Sequence, residues 1–355
     1  NKLFKLILLL SIFYMTIFLI AEVTAISILI KYISGTDLWI TALIIIFCSL
    51  TYTLYGGLRA SIFTDNLQFI IIFLLLIICF SYLISFNSND FNFNFINNNK
   101  PNLLSTFYIP NYTAGLTFFI AVAATNLFHQ GNWQRVYAAK NNKVLKKSLI
   151  ASFIIIIPIV FMMGFSGLIA SSQNTNLTAD LAFFFLIFKE QTFVLSIIVL
   201  VLAISLTISS IDTLINAISS LVVVDGNTII KYKGNYLHLS KKIIVFLSII
   251  AFFVASKGLS ILYLFLLADL FCCAAVLSVF YGFYTKSLNE KNIYISILIG
   301  LIGGLLLFPS PDFSKSVLIG IILPSDIVPS IITQSLLFSS FLVATFLPII
   351  SWRIK

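Results

Sequence analysis

The stretch Ala203–Asp225, AISLTISSIDTLINAISSLVVVD, decides how this chain is read. It continues an apolar run that begins near Phe193, long enough to cross a bilayer as a helix. Ser205, Ser209, Asp212, Asn216 and Ser219 recur at spacings of four, three, four and three, which sets all five on one helical face. Thr213 and Ser220 border that stripe, and Ser210 lies about 100° round from Ser209. Serines alone would read as a hydrogen-bonding seam between helices. A carboxylate at mid-membrane costs roughly 2.5–3.5 kcal/mol on insertion scales, so Asp212 tips the reading toward function. Hydroxyls, a carboxylate and an amide on one stripe are hard oxygen ligands, suited to a small hard cation.

The rest of the composition agrees with a membrane setting. Sixty per cent of the 355 residues are hydrophobic and 9% charged, which no soluble globular chain matches. At roughly 20 residues per span there is room for about ten transmembrane helices, expected at 6–31, 38–56, 63–86, 112–138, 146–171, 193–224, 242–257, 260–285, 291–309 and 330–351. Two His and four scattered Cys give no zinc, haem or redox spacing. The net charge of +9 would suit nucleic acid, but its placement decides otherwise. With the N-terminus inside, 16 of the 21 basic residues fall in inner loops or at inner ends, all but Lys31, Lys100, Lys189, Lys257 and Lys315. The basic excess records topology, with no nucleic-acid partner expected.

Of the 12 acids, Glu22, Asp65, Asp212 and Asp269 lie within or just inside membrane helices, with no Lys or Arg in mid-span to neutralise them. A buried carboxylate needs a partner or takes up a proton. The inventory therefore suggests a polar cluster, a proton or a cation from solution.

Two further stretches carry chemistry. Tyr52–Gln68, YTLYGGLRASIFTDNLQ, joins the second and third spans on the inner side. Gly56-Gly57 allows a tight turn, Arg59 anchors it, and Asp65 opens the next helix, where the helix dipole favours an acid. Thr125–Lys140, TNLFHQGNWQRVYAAK, interrupts the fourth span with Asn126, His129, Gln130, Gly131 and Asn132. A helix broken at membrane depth is tolerated where it lines a cavity, and such breaks bind ions and substrates in transporters.

The YTLYGGLRASIFTDNLQ turn, the GNWQRVYAAKN segment and the SSIDTLINAISSLVVVD helix resemble, in order and spacing, the sodium/solute symporter family. The opening IAEVTAISILI helix is similar to that family's third core helix. The resemblance covers essentially the whole chain and implies the LeuT fold, an all-α membrane bundle of two inverted five-helix repeats. It implies core helices three to five of the first repeat at 1–86, an extracellular loop at 87–111, the second repeat at 112–287 with its first helix broken, and two peripheral transmembrane helices at 288–355. The chain opens without Met, and the resemblance implies an N-terminally truncated member with the first two core helices missing.

By the same resemblance, Ser209 and Ser210 match the hydroxyl pair that ligates Na+, with the carbonyl of Leu206 completing that side. Asp65, Asp212 and Thr213 are candidates for a second cation or a proton. Asn126, His129 and Gln130 match the substrate-lining helix, Trp133 is a candidate gate, and Glu22 and Asp269 are expected to face the core.

The implied activity is sodium-coupled import of a small polar solute by alternating access, with Na+ as coupling ion and no other cofactor. A monomeric, multi-pass protein of the plasma (inner) membrane is expected. A proton-coupled transporter of the same fold, or a sensor module that has lost its signalling domain, stands as the alternative. A membrane-embedded transferase would need a loop-borne catalytic cluster, and the loops here are short; no enzyme is expected.

Overall fold

The computed structural model describes residues 2–86, 93–173, 178–189, 192–229, 232–285, 289–313, 316, 318–319 and 335–351. Two stretches with sequence expectations lie outside them, residues 87–92 of the outer loop and 330–334 at the start of the tenth expected span. So does the side chain of Arg59. The helices are α1 (Lys2–Ser34), α2 (Leu38–Phe86), α3 (Phe93–Asn99), α4 (Ile109–Phe128), α5 (Gln130–Ala138), α6 (Asn142–Gln173), α7 (Ala182–Ile187), α8 (Phe193–Ser220), α9 (Gly226–Ile229), α10 (Tyr236–Ala255), α11 (Ile261–Tyr284), α12 (Glu290–Leu307) and α13 (Leu336–Ser351). Among the described residues eight helical segments are long and apolar enough to cross a membrane. The chain is thus an integral, multi-pass membrane protein.

Two of those spans, Leu38–Tyr55 and Ser61–Ser85, share the single helical run α2. Its two ends stand on the same side of the bundle. A Cβ on Gly258 would lie 2.7 Å from Leu38 Cδ1, and Phe80 packs edge-on against Phe183 at 5.9 Å. These two contacts are linked through Asp180, which accepts a hydrogen bond from the Ile261 N–H. A straight helix would hold Leu38 and Phe80 about 60 Å apart. Tyr52, Ser61 and Thr64 instead meet on one carboxylate of α8, so the run reverses between Tyr52 and Ser61.

The core sits where α1 packs against α8 and α11, α2 against α8, and α12 against α13. In water-free surroundings packing and hydrogen bonding hold helices together, and small residues allow the close approach. Gly300 and Gly304, four apart on α12, serve that purpose: a Cβ at Gly304 would lie 2.8 Å from Ala344 Cβ. Ser340 fixes the same crossing by donating to the Gly304 carbonyl at 2.7 Å. A second apolar cluster, including Leu29, Leu83, Leu186 and Leu195, closes the end of the bundle that holds Asp180. α6 and the second arm of α2 are the least enclosed spans, with Phe153, Ile154, Phe161, Ile70 and Leu74 on the outside. Such faces suit lipid.

The expected fourth span, 112–138, is two helices. α4 ends at His129, which takes an extended backbone (φ −68°, ψ 107°), and α5 begins at the next residue. Inside a helix-forming apolar run, this extended residue frees backbone groups on both sides of the break. α8 passes the break and continues through a π-helical turn, Leu221–Asp225, into α9.

Candidate functional site

The polar stripe of α8 meets three different surroundings. Asp212 is fully buried, and its two carboxylate oxygens accept from Tyr52 Oη at 2.8 Å and Ser61 Oγ at 2.9 Å. Its charge is therefore received by the hydroxyls at the reversal of α2, behind the stripe.

One turn along α2, Asp65 accepts from Ser209 Oγ at 2.7 Å and from the Arg135 guanidinium at 2.6 Å. Arg135 also donates to Thr213 Oγ1 at 2.8 Å, and Thr213 in turn donates to the Ser209 carbonyl at 2.8 Å. The four residues close a ring of hydrogen bonds linking α2, α5 and α8. The expectation that no basic side chain reaches the membrane carboxylates is corrected here. The short α5, which starts at the break, carries Arg135 back to the bundle, and a long guanidinium spans the remaining gap.

The third surrounding is a cavity of about 250 Å³ lined by Phe18 and Glu22 of α1, His129 at the break, and Ser209, Ser210, Thr213 and Leu214 of α8. Glu22 lies within hydrogen-bonding reach of Ser210. His129 Nδ1 is buried without a hydrogen-bond partner. Gly131 brings α5 against α8 below the cavity: a Cβ there would lie 2.6 Å from Thr213 Cγ2.

Of the residues singled out in the sequence, Ser209, Ser210, Thr213, Glu22 and His129 share this cavity. Leu206 lines a separate, mostly apolar cleft with Leu29, Asp180, Phe184 and Ile261. Asn126, Gln130, Trp133 and Asp269 are outside the cavity lining. Asn126 donates to the Val122 carbonyl and accepts from Asn132 at 3.0 Å, and Trp133 Nε1 donates to the Leu127 carbonyl at 2.7 Å. These side chains tie up backbone and amide groups around the break. Gln130 is half-buried at the start of α5. Asp269 is buried on α11, where Thr125 donates to it at 2.6 Å.

Sequence reasoning missed Arg135, Phe18, Tyr52, Ser61 and Thr64. Ser61 and Asp65 stand four apart and Thr64 three from Ser61, a polar face at the start of a span that could have been read like the α8 stripe. Gln134 was missed too; its amide donates to Ser220 Oγ at 2.7 Å.

Residues 2–300 match the sodium:solute symporter family. The chain belongs to that family. Its members are transporters, which sets the chain apart from enzymes. A spermidine transporter of Candida albicans, DUR31, is 27% identical over 274 residues, 76% of this chain and 50% of that protein. The chain thus spans about half the length of the curated relative it matches. Among solved structures, a Na+-coupled sialic acid symporter in a substrate-bound, outward-open state superposes with a TM-score of 0.64 at 18% identity, covering 96% of this chain and 74% of that one. The fold is accordingly the LeuT-like helical bundle expected from the motifs.

Proposed function

We propose that this family member is a sodium-coupled symporter that imports a small polar solute across the plasma (inner) membrane by alternating access, acting as a monomer. The observation that supports it best is the pairing of Ser209 and Ser210 on one cavity at the point where α4 and α5 separate. A hydroxyl has one proton and two lone pairs. Ser209 gives its proton to Asp65, so its lone pairs are left to face the cavity and a cation. Asp65 is thus an orienting group for the ion ligand, and Ser210 supplies the second hydroxyl. The Leu206 carbonyl, one turn earlier, is the backbone ligand implied by the family.

Na+ bound there is held on α8 beside the broken helix, and its release inward is favoured by the membrane potential, about 2.3 kcal/mol per charge per 100 mV. Asp212, held by Tyr52 and Ser61, keeps the reversal of α2 against α8 while the repeats rock. The two relatives are named for spermidine and for sialic acid, a polyamine and a sugar acid, so their names do not converge on one solute class.

The test is uptake by the full-length protein in vesicles, with an inward Na+ gradient and with choline in its place. Uptake that requires Na+ and drops about tenfold or more in Ser209→Ala/Ser210→Ala supports the reading. Uptake that survives choline but collapses with a protonophore assigns the coupling to protons and overturns it.

A further inference from the structure

We propose that the α1 end of the cavity is a recognition site for the ammonium group of an organic amine, with Glu22 as its counter-ion. This rests on the symporter reading above and names the solute class for the same cavity. The lining holds a carboxylate, an imidazole, three hydroxyls, an aromatic ring and one aliphatic side chain, and no Lys or Arg. Among the described residues Glu22 has no ion-pair partner. The nearby guanidinium of Arg135 is committed to Asp65 and Thr213. Glu22 thus faces the cavity as a carboxyl group without a resident cation, and its ionised form is costly there unless a cation enters.

The chemistry of the wall distinguishes an ammonium from a bare metal ion. Small hard cations take oxygen ligands, and the two hydroxyls of Ser209 and Ser210 offer them. Glu22, within reach of Ser210, shares the wall with His129 and Phe18 as well. An alkali ion gains little from an imidazole nitrogen. A primary ammonium carries three N–H donors, and the lining offers a carboxylate and serine and threonine hydroxyls as acceptors, with the imidazole of His129, whose Nδ1 has no hydrogen-bond partner, beside them. The Phe18 ring, which packs edge-on against Phe265 at 4.9 Å, adds an aromatic surface of the kind that favours alkylammonium groups.

Charge narrows the solute class. At about 250 Å³ the cavity is far larger than an ion and has room for a short amine. An anionic solute would meet Glu22 with like charge. A neutral polyol would leave that carboxylate without a counter-charge.

Three four-carbon probes of matched length separate these classes: putrescine, 1,4-butanediol and succinate, with methylammonium as the smallest amine. Thermal unfolding of the full-length protein in detergent reads binding, and vesicle uptake of radiolabelled putrescine reads transport. We expect the two amines to raise the unfolding temperature and the diol and diacid not to. Na+ should raise it independently. Glu22→Gln should weaken amine stabilisation by about 30-fold or more in concentration, and by clearly more than it weakens stabilisation by Na+, with Glu22→Asp retaining part of the amine response.

Stabilisation by succinate or butanediol equal to that by putrescine, no stabilisation by either amine, or an unchanged amine response in Glu22→Gln overturns the inference. Na+-driven uptake of a non-amine does so too while leaving the symporter reading intact. Amine binding with uptake indifferent to Na+ supports the inference and sinks sodium coupling instead.

Discussion

The Arg135 guanidinium lies 2.6 Å from the Asp65 carboxylate and 2.8 Å from Thr213 Oγ1, so an internal cation stands beside two of the three residues expected to take a second cation or a proton. The contact bridges the short helix after the break to both α2 and α8. It also sits beside Ser209, the hydroxyl proposed to ligate Na+. Arg135 and Ser209 therefore draw on the same carboxylate.

Replacing Arg135 by Gln should leave Asp65 to Ser209 alone and strengthen its hold on the proposed ion ligand. The pair is partly exposed, with Arg135 at 40% and Asp65 at 20%, so its loss should lower stability by only ~0–1 kcal/mol. The Na+ dependence of uptake should shift to lower concentration by about 3- to 10-fold, equivalent to roughly 1 kcal/mol. Arg135→Lys keeps the charge but cannot fork between Asp65 and Thr213, and should fall between the two. An unmoved Na+ dependence in Arg135→Gln would show that Arg135 does not bear on the proposed ion ligand.

Asp212 should behave as a structural group. It is fully buried and both its oxygens accept hydrogen bonds from hydroxyls of α2. Asp212→Asn can keep those partners by rotation of the Tyr52 and Ser61 hydroxyls, at about 1 kcal/mol. Asp212→Leu strands both hydroxyls and should lower stability by roughly 2–5 kcal/mol, read as a fall in unfolding temperature. Na+-dependent uptake per folded molecule should be unchanged in Asp212→Asn. Its abolition without a fall in unfolding temperature would make Asp212 an ion ligand.

The sequence announced the helices more readily than their partners. The α8 stripe showed which residues share a face, because helical periodicity is a local property. It could not show that Asp212 meets Tyr52 and Ser61 while Ser209, on the same face, meets Asp65, since those neighbours come from a helix about 150 residues away. The break at His129 was legible as polar residues inside an apolar run. Which of those residues line a cavity was not, because the helical period is lost at the break itself. Arg135 was assigned to the inner loops by charge counting, a rule that places a backbone segment and is blind to how far a guanidinium reaches back.

Asp180 should set the entry of α11. Its carboxylate accepts from the Ile261 N–H at 3.1 Å and the Leu262 N–H at 3.3 Å, two of the donors a helix start leaves open. Asp180→Ala should reduce stability by about 1 kcal/mol, and Asp180→Asn by less. Ser260 serves the same helix start through the Tyr263 N–H, so Asp180→Ala and Ser260→Ala should combine non-additively. Additive losses in unfolding temperature would show that the two caps act separately.

Gly131→Ala tests whether α5 must lie this close to α8. The added methyl would stand 2.6 Å from Thr213 Cγ2 and 2.9 Å from His129 Cε1, well inside contact distance. Either α5 moves off α8, which stretches the Arg135–Thr213 hydrogen bond, or Thr213 and His129 turn into the cavity they line. Both routes should lower uptake by about tenfold, with a stability loss of roughly 1–3 kcal/mol. Thr213→Ser removes the obstructing Cγ2 and keeps the oxygen that Arg135 and Ser209 use. In the Gly131→Ala background it should therefore restore a good part of the activity, with a coupling of about 0.5–3 kcal/mol in the double-mutant cycle. If the two substitutions simply add, the close approach of Gly131 to Thr213 does not control the cavity, and the effect of Gly131→Ala arises within α5 alone.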